Sequence, residues 1–135
     1  MTLSLNEANR IAEAAIEKAK EINIRISVAI CDIDGRLMLL KRMDGGIWAA
    51  NWGCIAKATG IAAFGAHDLG SDESTRSHIL KIIENSGEGH MFVHAEGGGG
   101  GVPIYRNNVL IGGCGVGGGS GEEDDLCSRA GVAQL

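Results

Sequence analysis

The chain has 135 residues and carries 17 acidic against 12 basic side chains, a net charge of −5. That balance excludes a general nucleic-acid or anionic-membrane surface, and the length fits one domain able to bury roughly two thirds of its unfolded surface without a staple. Hydrophobic residues make up 44 % and aromatic ones only 4 %, so the core is built from Ala, Val, Ile, Leu and Gly, which pack backbones close together.

Ser4-x-x-Glu7 is a capping box, and Leu5, Ala8, Ile11, Ala12, Ala15, Ile16 and Ala19 follow at helical spacing. The pattern predicts a first helix from Leu5 to Glu21, and this helix contains no histidine. Ile24, Ile26, Val28 and Ile30 alternate with Arg25, Ser27, Ala29 and Cys31 to give a first strand. Asp34-Gly35 is a hairpin signal, and a second strand follows over Arg36 to Met43. Ile47 to Phe64 reads as a helix with a small-residue stripe (Ala49, Gly53, Ala56, Gly60, Ala63) beside a bulkier one (Trp48, Trp52, Ile55, Thr59, Ala62). Its two interior glycines cost roughly 1 kcal/mol each in helix propensity, so close packing must compensate. Ser71 to Glu84 forms a third helix with an acidic first turn, and Met91 to Ala95 a short strand.

Gly97 to Gly121 then holds more than half of the 22 glycines and the single proline. Glycine at that density suggests a linker, but Val102, Ile104 and Tyr105 lead into Asn107-Asn108, and Val109, Leu110 and Ile111 follow. Two apolar runs around residues tolerant of positive φ read as a hairpin closed by a type I′ turn. The flanking glycines mark bends, or backbone passing very close to a neighbouring element or a flat ligand. Ser120-x-x-Glu123 caps a last helix ending near Ala133. The order α-β-β-α-α-β-β-β-α, with hairpins at both ends, predicts an α+β fold: an antiparallel sheet of about five strands with helices on its faces.

Several motifs offer chemistry. Gly113-x-Gly115-x-x-Gly118 matches a dinucleotide fingerprint, but the next helix opens with Glu122, Glu123, Asp124 and Asp125, whose charge repels a pyrophosphate, and no parallel βαβ unit surrounds it. His90 and His94 sit four apart on a strand, on one face but about 13 Å from each other, too far to chelate one metal together; no dedicated metal site is expected. His67 and His78 add no stronger case. Cys31, Cys54, Cys114 and Cys127 form no CxxC pair and read as reduced thiols. Lys57, the only charge in a nearly uncharged helix, points either to solvent, to a structural partner such as Asp44, or to an anionic ligand. Nothing pairs a nucleophile with a base, and the residues alone establish no catalysis. The opening MTLSLNEANRIAEA lacks a basic region followed by an apolar run, and no 18-residue apolar stretch occurs, so a cytoplasmic protein is expected.

Taken in order, Arg42-Met43-Asp44, Ile55-Ala56-Lys57-Ala58-Thr59, Gly100-Gly101-Val102-Pro103-Ile104, Ile111-Gly112-Gly113-Cys114-Gly115-Val116, Glu123-Asp124 and Ala130-Gly131-Val132-Ala133 resemble the GlcG/HbpS family. That family includes the C-terminal domain of PduO-type corrinoid adenosyltransferases and is often labelled haem-degrading. The resemblance spans nearly the whole chain. It implies a profilin-like α/β/α sandwich, a compact homo-oligomer such as an octamer, haem or a related corrinoid as ligand, and a setting in B12-dependent diol or glycerol, or glycolate, utilisation. A ligand pocket is implied near Arg42, Asp44, Lys57 and the Gly100-Gly101-Val102-Pro103 turn, with His94 nearby and arginine or lysine on the propionates. Haem ligation in some PduO-type relatives involves a histidine on the first helix, which this helix lacks, and the resemblance does not extend to the adenosyltransferase domain, so that activity is not expected to carry over. The other readings are a small enzyme acting on a carboxylate or aldehyde metabolite, with Lys57 and Asp44 as acid/base pair, and a ligand-free assembly protein whose glycines line subunit contacts.

Overall fold

The computed structural model describes residues 2–64 and 99–135, together with residues 77, 78, 81, 82, 84 and 85, which are helical. These six fall within the third predicted helix or at its end. The predicted strand Met91–Ala95, with His90 and His94, and His67 lie outside the described residues.

The first helix, α1, runs over Leu5–Glu21, as the capping box dictates: the Ser4 hydroxyl accepts from the Glu7 N–H at 3.1 Å and the Glu7 carboxylate from the Ser4 N–H at 2.8 Å. Its stripe of Ala8, Ile11, Ala12, Ala15 and Ala19 is fully buried. Strand β1 (Ser27–Asp32) and strand β2 (Leu37–Arg42) pair antiparallel around a turn in which Gly35 takes φ +76 and Asp32 accepts from the N–H groups of Asp34 and Arg36. Helix α2 covers Ala50–Phe64. Strands β3 (Gly101–Arg106) and β4 (Val109–Gly117) form the predicted hairpin, with Asn107 at φ 50 and Asn108 at φ 65, the two positive values a type I′ turn requires. Helix α3, Gly121–Val132, starts at the second capping box, Ser120 with Glu123.

The four described strands make one antiparallel sheet in the order β2-β1-β4-β3. Alternation divides its faces. Val28 and Ile30 of β1, and their register partners Val116 and Cys114 of β4, join Ile104 and Val102 in the larger core against α1 and α3. Ala29 and Cys31, opposite Gly115 and Gly113, turn to the other face, where Cys54, Ala58 and Ala62 of α2 cover them. The result is an α/β/α sandwich. Pro103 is tolerated because β3 is the edge strand among the described residues.

Two expectations change. The first predicted strand begins only at Ser27. Its partner Gly117 is the last residue of β4, and Gly118, at φ +122, turns the chain so closely over Arg25 that a Cβ there would lie 2.5 Å from the Arg25 carbonyl oxygen. The second change concerns α2. Its buried residues are Ala50, Cys54, Ala58, Thr59, Gly60, Ile61 and Ala62, so of the predicted small-residue stripe Gly60 is buried, whereas Ala49 and Ala63 are exposed and a Cβ on Gly53 would meet nothing within 4 Å.

Candidate functional site

The β4 glycines explain how α2 approaches. A Cβ on Gly113 would sit 2.2 Å from the Ala58 carbonyl oxygen, and one on Gly115 2.0 Å from that of Cys54. These contacts are with helix backbone, which cannot swing aside. The close neighbour foreseen for the glycine hairpin is therefore a helix of the same chain, and neither a flat ligand nor a second subunit has room against Gly113 or Gly115.

Lys57 lies on this helix and reaches under the start of the hairpin. Its ammonium donates to the Val116 carbonyl oxygen at 2.8 Å and to the Asp124 carboxylate at 3.2 Å. The two side chains are only 13 % and 4 % exposed. Lys57 thus pairs with Asp124, 67 residues later, and not with Asp44, which is exposed in the turn after β2. The Lys57–Asp44 acid/base pair is ruled out by this geometry. Asp124 also accepts from the Gly119 N–H at 2.8 Å, yet burial outweighs both partners and pushes its pKa up from the ordinary 3.8. The Ser128 hydroxyl donates to the Gly100 carbonyl oxygen, and the Val116 N–H donates to the same atom at 2.8 Å. Gly100, at φ +99, leaves no space for a side chain: a Cβ would meet the Val116 oxygen at 2.4 Å and the Lys57 ammonium at 3.1 Å. Lys57, Gly100, Gly101 and Asp124 form one internal clamp that fastens β3 to α2 and α3. Val102 is in the core on the other face and Pro103 in the ladder opposite Gly113.

Arg42 and Asp44 belong to a different place. The Arg42 guanidinium donates to the Gly46 carbonyl oxygen at 3.1 Å, at the rim of an open cleft of about 630 Å³. Three connections meet there: α1 to β1 (Asn23, Ile24, Arg25), β2 to α2 (Met43, Gly45, Gly46, Ile47) and β4 to α3 (Gly118), with Lys20 from the end of α1. Its volume falls within the roughly 300–1,000 Å³ of small-ligand sites. Ile24, Met43 and Ile47 supply apolar surface, and Lys20, Arg25 and the adjacent Arg42 positive charge. Ile47, which lines the cleft, and Trp48 and Trp52, which follow it in the chain, are large exposed apolar side chains, each more than 60 % accessible. Sequence reading missed Arg25, because alternation assigned it to a strand face. The positive φ of Asn23 and of Gly45 beside it marked the connections that build the cleft.

The remaining chemistry is quiet. All four cysteines are buried and free, and burial pushes the thiols of Cys31, Cys54 and Cys114 to about 12 and that of Cys127 to about 11. Among the described residues no three His, Cys, Asp or Glu side chains gather to hold a metal, and no helix is long and apolar enough to cross a membrane.

Among the described residues, an antiparallel sheet between one helix and a helix pair defines a small α/β/α class, with a cationic cleft where three connections meet. The chain belongs to the HbpS-like family, described as haem-degrading, whose profile matches residues 3–133. It is similar to the corrinoid adenosyltransferase PduO of Salmonella typhimurium at 26 % identity; the whole chain aligns, but spans only 39 % of PduO. It is also similar, at 28 % identity over 95 % of this chain and 88 % of the relative, to an uncharacterised 15.0 kDa protein from the dhaT-dhaS intergenic region of Citrobacter freundii. Among solved structures, a PduOC:heme complex superposes with a TM-score of 0.80 at 24 % identity, covering 100 % of this chain and 96 % of that one. The crystal structure of HbpS superposes at 0.77 with 26 % identity, covering 100 % and 91 %.

Proposed function

We propose that this protein is a cytoplasmic, homo-oligomeric tetrapyrrole-binding protein, taking haem or a corrinoid, accessory to B12-dependent diol or glycerol or to glycolate utilisation. The observation that carries the reading is the cleft between Arg25, Arg42 and Ile47. It is amphipathic, open to an edge-on macrocycle, and lined in part by Gly45, Gly46 and Gly118. A tetrapyrrole presents a flat apolar face and a polar edge, and the residues present fit both. Membership of a family described as haem-degrading supports the ligand class, as do a relative solved with haem and another named for corrinoid chemistry. Exposed Trp48, just before α2, and exposed Trp52, in its first turn, support self-association, since large aromatic side chains are enriched in subunit contacts.

The test is a haemin titration of the purified protein followed in the Soret region, with cobalamin in parallel. The reading expects saturable binding at one ligand per subunit or per subunit interface. A spectrum no different from that of haemin on a non-specific carrier protein overturns it.

A further inference from the structure

The ladder between β1 and β2 ends on a thioether. Ser27 and Arg42 are the last pair in register, and one step further Ile26 faces Met43. A hydrogen-bonded antiparallel pair exchanges both of its N–H to carbonyl bonds. Here only one forms among the described residues. The Met43 N–H donates to the Ile26 carbonyl oxygen at 3.0 Å, while the Met43 carbonyl oxygen is turned into the next connection and accepts from the Gly46 N–H at 2.9 Å. The Ile26 N–H donates instead to the Met43 thioether, with nitrogen and sulfur 3.4 Å apart. Ile26 is fully buried, so its N–H has no solvent to turn to, and a thioether is a weak acceptor. Met43 is half-buried and lines the open cleft. One lone pair of its sulfur is therefore occupied by a backbone donor, and the side chain stands where a small solute can reach it.

We propose that Met43 is a site of reversible oxidation, at which peroxide converts the thioether to a sulfoxide and the new oxygen takes over the Ile26 N–H. In this step the free sulfur lone pair attacks one peroxide oxygen and the S–O bond forms as the O–O bond breaks. The departing hydroxide takes up the proton of the transferred oxygen and leaves as water. Sulfur is oxidised by two electrons and the peroxide is reduced by two. In a closed core a sulfoxide is disruptive, because its polar oxygen is buried without a partner. Met43 has two remedies. The cleft admits water, and the sulfoxide oxygen, a stronger acceptor than sulfur, meets a buried donor that the thioether serves poorly. Three rotatable bonds let the side chain swing the oxygen round to it. The site needs no bound ligand and does not depend on the tetrapyrrole reading. Oxidation makes polar one of the three apolar side chains that line the cleft, Ile24, Met43 and Ile47, so the state of Met43 sets the polarity of that wall. Methionine sulfoxide reductases, one for each epimer, supply the return.

The experiment treats the purified protein, without haemin, with hydrogen peroxide and follows oxygen uptake at each methionine by peptide mass spectrometry. Met38 is the internal control: it lies on the same strand and is also packed against the larger core, but it does not line the cleft. Met43 should gain one oxygen several times faster than Met38. Because the Ile26 N–H covers one lone pair, one sulfoxide epimer should predominate, read by which of the two stereospecific reductases restores the thioether. In the oxidised protein the Ile26 amide should shift downfield and exchange more slowly with solvent deuterium, with the Ala29 amide unmoved. Met43→Leu, a volume-conserving replacement, keeps the fold and removes the acceptor. Its Ile26 amide should exchange faster than in the wild type and show no response to peroxide. Oxidation at Met38 as fast as at Met43, equal amounts of the two epimers, or an Ile26 amide that is the same in the reduced and oxidised protein each overturn the proposal.

Discussion

Replacing Lys57 by methionine tests the internal clamp directly. Methionine keeps an unbranched stem of similar helix propensity on α2 and removes only the ammonium. Asp124 is then left 4 % exposed, with the Gly119 N–H as its remaining described donor. Removing one partner of a buried pair costs about 3–5 kcal/mol, and here the upper limit follows from proton binding. The stranded carboxylate can escape by protonating. Relative to the unfolded chain this costs about 1.4 kcal/mol for each pH unit above its ordinary pKa of 3.8. The charge penalty is therefore capped at about 4.4 kcal/mol at pH 7 and about 1.6 kcal/mol at pH 5. The lost bond to the Val116 carbonyl oxygen adds about 1 kcal/mol at either pH. The sign is fixed by a folded-state pKa that burial raises: Asp124 favours folding most below 3.8 and progressively less as pH climbs through its raised value. Urea unfolding of Lys57→Met at pH 7 and pH 5 should accordingly show a large loss that shrinks by about 2–3 kcal/mol at the lower pH. Lys57→Met/Asp124→Asn, which retains an acceptor for Gly119, should recover most of the pH 7 loss. A single variant within about 1 kcal/mol of wild type at pH 7, or a penalty that does not change with pH, refutes this account of the clamp.

Other outcomes are as specific. Gly115→Ala should cost more than about 3 kcal/mol or abolish soluble expression, because its Cβ would meet backbone at 2.0 Å, whereas Gly53→Ala, with open space around it, should gain about 1 kcal/mol in thermal or urea melts. Glu7 is held near a pKa of about 2, first by the Ser4 N–H and then by Arg106. Its contribution to stability is present above pH 4.5 and lost as pH falls toward 2, and a pH series of melts on Glu7→Gln should lack that segment of acid lability. A thiol reagent at pH 8 should label few of the four cysteines in the native protein and all four in denaturant, given thiols buried and pushed to 11–12.

Local rules with a single physical solution were legible in the sequence. Ser4 with Glu7 and Ser120 with Glu123 fixed helix starts to the residue, because a capping box satisfies particular N–H groups. Asn107-Asn108 fixed the hairpin, because few side chains accept two successive positive φ values. The face of α2 was not legible. The helix has no polar side to mark solvent and its single charge points inward, so its one small-residue stripe, Ala49 to Ala63, did not mark which side meets the sheet. The partner of Lys57 did leave a trace. Asp124, Cys127, Ser128 and Gly131 fall at helical spacing on one buried stripe of α3, which makes Asp124 the one acid of the Glu122–Asp125 run on a small-residue face. Reading that run only as a well-capped helix start hid it. The gathering of Arg25 and Arg42 around Gly45-Gly46 depends on where three connections meet in space, which periodicity within one element does not encode.

On the proposed reading the two clusters divide the work between scaffold and recognition. Gly113 and Gly115 on β4 are filled by α2, and Lys57, Asp124 and Ser128 lock the entry to the same hairpin, so the glycine-rich stretch is committed to internal packing. What remains open to a ligand lies on connections held in place by that packing, the usual site of recognition on a rigid frame. Perturbations should therefore separate. Changes at Lys57 or Gly115 should move the unfolding free energy and, where the protein still folds, leave ligand affinity close to wild type. Changes at Arg25 or Arg42 should lower affinity and leave unfolding within about 0.5 kcal/mol of wild type, as for exposed positions generally. A Lys57→Met protein that folds but has lost haemin affinity while Arg25→Gln/Arg42→Gln retains it would place the ligand at the glycine turn, and the internal clamp would then have to open to admit it.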